Sequence, residues 1–197
     1  MPPPAPVPNL QCSLFLTQTR GLLAAVNGTS ASYLFQPDKL YTEYDVGDKT
    51  IQCGRRADAV KLWLMWKAYG DAGLERRVDH VYALADHIQA RIEASGGKFA
   101  LAFPRSCTNV GFWYVPESMR PFDFATADEA AKEKIAQVAP HIKATMQKAG
   151  DAMIGYQPLD GKPNFFRIVF ASADNVTFDD IDQMLERIER IGEDGGF

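Results

Sequence analysis

The chain has 197 residues, 46% of them hydrophobic and 23% charged, which excludes a wholly disordered chain and fits one domain or a little more. Its 21 Lys and Arg against 25 Asp and Glu leave a net charge of −4, which excludes a generally basic nucleic-acid binder. Five of the 12 prolines fall in the first eight residues.

Proline removes backbone donors and fixes φ, so 1–9 is expected to be an irregular, proline-rich start. A short apolar run over 10–17 reads as a strand, and 21–26 as a helical turn. The small polar stretch Gly28-Thr29-Ser30-Ala31-Ser32 has the composition of a mobile loop. The spacing predicts a helix over 55–69, apolar on nearly its whole circumference through Val60, Leu62, Trp63, Leu64, Met65 and Trp66, and therefore buried. Gly70 is expected to end it. Leu74, Val78, Val81, Ala85, Ile88 and Ile92 recur at helical spacing over 74–94, and Gly96 and Gly97 stop that helix.

Strands are expected over 99–103 and 110–115. A further helix begins near Thr126, three residues before Glu129 in the manner of a capping box, and Pro140 should kink or divide it. Runs at 152–157 and 164–170 read as a hairpin around 159–162. Thr177 then caps a last amphipathic helix carrying Ile181, Met184, Leu185, Ile188 and Ile191. This order implies an α/β (α+β) layer, a small antiparallel or mixed sheet with helices on one face.

Cys12, Cys53 and Cys107 are widely spaced and form no Cys-x-x-Cys pair, so reduced thiols in a cytoplasmic protein are expected rather than a zinc or disulfide framework. The start carries no secretory pattern. The longest apolar stretch, 60–68, is interrupted by Lys61 and Lys67 and falls far short of the ~18 residues of a membrane span. His80 and His87 share a helix face but lie two turns apart, roughly 10 Å, too far to share one metal; packed or solvated histidines and no metal site are expected.

Two residues invite chemistry. In Asn164-Phe165-Phe166-Arg167-Ile168-Val169-Phe170, alternation puts Phe165, Arg167 and Val169 on one face. A guanidinium among apolar neighbours must find an anion or reach water, so Arg167 is a structural ion-pair partner, a strand-edge arginine, or a bidentate clamp for a carboxylate. Tyr33, just after the small-residue loop, either anchors that loop or delivers a proton once the loop closes. Cys53, at a predicted helix start, is read as a small buried residue.

The segments 10–13, 31–39, 47–56, 62–68, 109–116 and 155–158, together with Asn164-Phe165-Phe166-Arg167, resemble in this order the C-terminal part of the group II decarboxylases, pyridoxal-phosphate (PLP) enzymes of fold type I. The resemblance runs over 10–192 and is greatest to the branch acting on small acidic amino acids. Gly54-Arg55-Arg56 and Gly73-Leu74-Glu75-Arg76-Arg77 lean toward cysteine sulfinate, Tyr33-Leu34-Phe35-Gln36-Pro37-Asp38-Lys39 fits glutamate as well, and aspartate stays open.

The resemblance implies that 10–70 is the end of the large PLP domain with its catalytic loop and that 71–197 is the C-terminal small domain. It implies that Arg167 binds the substrate carboxylate. Tyr33 would protonate the substrate carbon after carbon dioxide leaves, from a loop that reaches across a homodimer interface. The family's Schiff-base lysine would fall near Pro4, and the first lysine here is Lys39. No cofactor-binding residue is therefore assigned, and the chain alone is expected to be inactive. The other expectation is a non-catalytic module that pairs with a full-length decarboxylase.

Overall fold

The computed structural model describes residues 15–31, 38, 40–51, 58–159, 161–171 and 175–197. They fall in two compact units, Met1–Asp71 and Ala72–Phe197. The expected strand at 10–17 lies mostly outside the described residues, and 15–17 are irregular.

The first unit has little regular structure. It holds the short helix α1 (Leu22–Asn27), two single 3-10 turns at Thr42–Tyr44 and Gly47–Lys49, and the start of a long helical stretch, α2 (Asp58–Glu93). Gly70 interrupts α2 with φ 63° and ψ 179°, a left-handed position that suits a residue without Cβ. The indole of Trp66 donates across that break to Asp71 at 2.6 Å. The expected burial of this helix is corrected. Val60, Trp63, Leu64 and Trp66 are each about half-exposed, between 50 and 57%. An apolar circumference shows what a helix would gain from cover; the cover itself has to come from another surface, and the described residues do not provide it.

In the second unit, β1 (Phe99–Leu101), β2 (Asn109–Tyr114), β3 (Gly155–Leu159) and β4 (Lys162–Val169) form one antiparallel sheet in the order β1-β2-β4-β3. Period-2 alternation sends Val110, Phe112, Tyr114 and Phe166 to one face. That face packs against Leu84, Ile88 and Ile92 of α2, Ile135, Val138, Ile142 and Met146 of α3 (Glu129–Ala149), and Ile181, Leu185 and Ile188 of α4 (Phe178–Asp194). These side chains, none more than 4% exposed, form the helix-covered part of the core. The opposite face carries Gly111, Trp113, Phe165 and Arg167. Phe124 stacks on Trp113 at 3.8 Å and Phe103 meets Phe165 edge-on at 5.6 Å, so this face is covered around Trp113 and Phe165.

Two helix details differ from expectation. Thr126 does not cap α3; its hydroxyl donates to Asp123 at 2.7 Å, and Asp128 is the cap, accepting from the Ala131 amide at 2.8 Å. Pro140 does not divide α3, which runs unbroken through it. Thr177 does cap α4, in a full capping box with Asp180. Among the described residues no helix is long and apolar enough to cross a membrane.

Candidate functional site

Arg167 stands in β4 with Gly111 of β2 and Gly155 of β3 as its register partners on either side. Directly opposed residues share a sheet face with Cβ atoms about 5 Å apart, so the two strands beside Arg167 present no side chain next to it. Its own side chain is exposed, on the face opposite Phe166 and Ile168. Three other arginines of this unit are engaged, while Arg187, which lines a groove that Arg167 also borders, makes no ion pair among the described residues. Arg105 bonds Asp86, Gln89 and the Cys107 carbonyl; Arg91 pairs with Asp182 at 2.9 Å; Arg120 pairs with Glu193 at 2.7 Å. The Arg167 side chain makes no hydrogen bond or ion pair among the described residues. The structural ion pair weighed as one explanation of this arginine is thus not formed there.

On the β2 side the gap is filled from above. A Cβ at Gly111 would lie 2.6 Å from the Phe103 ring, so the missing side chain is what lets that ring settle against the strand. On the β3 side the gap stays open. Arg167 also borders a groove of about 520 Å³ whose other walls include Met153, Ile154, Ile168, Met184 and Arg187. Asp180 reaches the same groove, but its carboxylate is occupied by the Thr177 hydroxyl and amide, which hold it below the ordinary carboxylate range. Asp180 remains anionic, but Arg167 and Arg187 outnumber it, so the sheet face and its border are net cationic and partly apolar, suited to a carboxylate carried on a short aliphatic chain.

Tyr33 lies outside the described residues, as do Cys12, Cys53, Arg55 and Arg56. The described residues reach Ala31. The stretch expected to be a mobile loop is tied down at its start: Asp48 accepts from the amides of Thr29 at 2.8 Å and Ser30 at 3.3 Å, and Asn27 donates to the Lys49 carbonyl at 3.2 Å.

The remaining candidates have structural partners. His80 contacts the Val176 carbonyl at 3.0 Å; His87 contacts Asp182 at 2.9 Å and stacks on Phe178. They pin the entry of α4 to α2 from two successive positions on one helix face. His141 meets the Phe197 ring edge-on. Cys107 is exposed, 3.4 Å from the Tyr82 hydroxyl. That hydrogen bond first, then the Thr108 amide, hold its thiol below the ordinary range. Sequence reasoning did not find Gly111, Gly155 and Phe103. Gly111 and Gly155 lie in segments that carry the resemblance, but only strand register places them, and Phe103, around Arg167.

The described residues around Arg167 do not fit PLP. No lysine lines the groove it borders. Lys98 pairs with Glu189, Lys143 lies over Tyr156, and Lys162 lies over Trp113. Among the described residues no charged side chain is buried where it could hold a ring nitrogen. What the arrangement fits is a carboxylate.

Residues 6–115, more than half of the chain, match the model of the pyridoxal-dependent decarboxylase conserved domain. The chain is 46% identical to human cysteine sulfinic acid decarboxylase over 187 residues, covering 94% of this chain and 37% of that protein. It is 43% identical to glutamate decarboxylase of Drosophila melanogaster, covering 94% of this chain and 36% of that one. The crystal structure of mouse CSAD superposes with a TM-score of 0.73 at 42% identity, over 91% of this chain and 36% of that chain. The chain thus spans just over a third of the length of the relatives it matches.

Proposed function

As this chain belongs to the pyridoxal-dependent decarboxylase family, we propose that it is the C-terminal portion of a carboxy-lyase that removes carbon dioxide from a small acidic amino acid: cysteine sulfinate, glutamate or aspartate. The observation that carries this reading is Arg167, unpaired among the described residues and flanked in register by Gly111 and Gly155. Its planar fork binds a carboxylate bidentately and fixes the substrate's orientation. Arg167 acts on the substrate and not on the cofactor.

Tyr33 delivers a proton to the substrate carbon once carbon dioxide has left, from a loop whose start Asp48 fixes. Residues 10–70 belong to the large domain and 71–197 to the small domain; the division into two units at Asp71 supports that boundary. The half-exposed Val60, Trp63, Leu64 and Trp66 support a covered position for this helix in an assembled homodimeric enzyme. The same surface favours a second reading, in which the chain pairs with a full-length decarboxylase without turning over substrate itself.

The test is to purify residues 1–197, add PLP, and follow carbon dioxide release and the absorbance of bound cofactor. With no lysine before Lys39, neither covalent cofactor binding nor turnover is expected. Robust turnover would overturn the claim that these residues do not carry the cofactor. Co-purification with a full-length decarboxylase selects the second reading. For Arg167 itself, the segment is grafted in place of the matching part of the human relative. Arg167→Gln should then raise KM by roughly 10- to 100-fold, the loss of a charge-assisted hydrogen-bonded pair. An unchanged KM would remove Arg167 from the substrate site.

A further inference from the structure

We infer that Phe103 is a specificity-determining residue for whatever binds Arg167: its ring closes the β2 side of that arginine and confines a bound carboxylate's chain to the open, Gly155 side. The inference rests on the reading of Arg167 as a carboxylate clamp and adds which ligand shapes it accepts.

The geometry is local and does not depend on the rest of the molecule. Gly111 and Arg167 are directly opposed across β2 and β4, and Gly155 opposes Arg167 on the other side. The three positions form one row on one face. At Gly111 the space a side chain would fill is taken by Phe103, whose Cζ and Cε1 atoms would lie 2.6 and 2.7 Å from a Cβ there. At Gly155 the nearest neighbour of such a Cβ is the Arg167 carbonyl at 3.5 Å, ordinary contact, with no side chain above. So Arg167 has a rigid aromatic wall on one side and bare backbone on the other.

The wall is held. Phe103 packs edge-on against Phe165 at 5.6 Å, and Phe165, fully buried, packs on Trp113. Rotating the ring away would lose that contact and expose the strand beneath it. A substituent pointing toward β2 therefore meets the ring, whereas an unbranched chain passes over Gly155. The ligand class is a short carboxylate or sulfinate whose chain carries no geminal branch at the second carbon from the bound group.

The experiment uses the 197-residue chain and two probes, glutarate and 3,3-dimethylglutarate, titrated by NMR on the Gly155 amide and the Arg167 side-chain N–H. Wild type should prefer glutarate by about tenfold, the lower end of what a methylene or two is worth against an apolar wall. Phe103→Ala should bring the two affinities together. Gly111→Ala, which pushes the ring aside, should change the ratio in the same direction and lower the thermal midpoint. The double variant Gly111→Ala with Phe103→Ala should be destabilised by less than the sum of the two single variants, because the clash at Gly111 disappears with the ring. If Phe103→Ala fails to fold, Phe103→Leu, which keeps apolar bulk but loses the flat ring, should give an intermediate ratio.

Arg167→Gln separates the two claims. Loss of both probes in that variant, together with an unchanged ratio in the Phe103 and Gly111 variants, leaves the arginine reading standing and overturns the role of Phe103. Binding that survives Arg167→Gln, or a wild type that binds neither probe, overturns the arginine reading and the inference with it.

Discussion

The side-chain amide of Asn164, at the start of β4, donates to the Ala136 carbonyl of α3 at 2.9 Å. That carbonyl lies four residues before Pro140, so the proline cannot give it the usual helical N–H. The sheet supplies the donor that the helix lacks. This explains why α3 passes through Pro140 intact, and it makes Asn164 a structural residue just ahead of the Phe165-Phe166-Arg167 run.

Asn164→Ala leaves the Ala136 carbonyl without a partner in a half-buried place and should cost about 1–3 kcal/mol in urea denaturation. Pro140→Ala restores an N–H at that point. In the Pro140→Ala background the Asn164→Ala penalty should fall sharply. A double-mutant cycle with no coupling would show that the two residues act independently.

Gly192 in α4 lies against Tyr114 of β2 so closely that a Cβ would run into the ring. Gly192→Ala should therefore destabilise by at least about 1–3 kcal/mol through overpacking, despite alanine's better helix propensity. Thermal unfolding gives the sign directly: a raised midpoint would mean that the ring moves freely.

Glu193 joins the end of α4 to the sheet. It accepts from the Tyr114 hydroxyl at 2.5 Å, from Arg120 at 2.7 Å and from the Glu117 amide at 3.3 Å. Burial pushes its carboxyl up, but these hydrogen bonds and the Arg120 charge outweigh that and hold it below the usual range. Burial first, then the bond to Glu193, push the Tyr114 phenol well above its ordinary value. A carboxyl lowered by folding stabilises the fold above its unfolded pKa of about 4.3, and the contribution is lost as pH falls through the folded value. The stability gap between wild type and Glu193→Gln should thus be widest at neutral pH and narrow on acidification below about pH 4.3. A gap independent of pH would exclude the charged form as its source.

Asp48 should matter to Tyr33 through the backbone. Asp48→Ala removes the acceptor of the Thr29 and Ser30 amides, so hydrogen exchange at those two amides should quicken while α3 and α4 stay protected. In the grafted enzyme, kcat should fall with KM unchanged, since Asp48 positions the loop and does not meet the substrate. A raised KM with normal kcat would place Asp48 at the binding site instead.

Local chemistry made much of this protein readable in advance. The periodicity at 74–94, the Thr177 cap with Asp180 three residues on, and the hairpin around 159–162 depend on neighbours within a turn or two. They appear as α2, α4 and the β3–β4 pair. The amino-acid order also singled out Arg167, because a charge inside an alternating apolar strand stands out without knowledge of its surroundings.

Only tertiary structure decided what surrounds it. Gly111, Gly155 and Phe103 are 56, 12 and 64 positions from Arg167, and strand register alone makes them its neighbours. The fate of Pro140 likewise turned on Asn164, 24 residues away. The half-exposed face of Trp63 and Trp66 shows the converse. Hydrophobicity along a chain records how much a segment gains from burial, while actual burial requires a partner surface brought there by the fold.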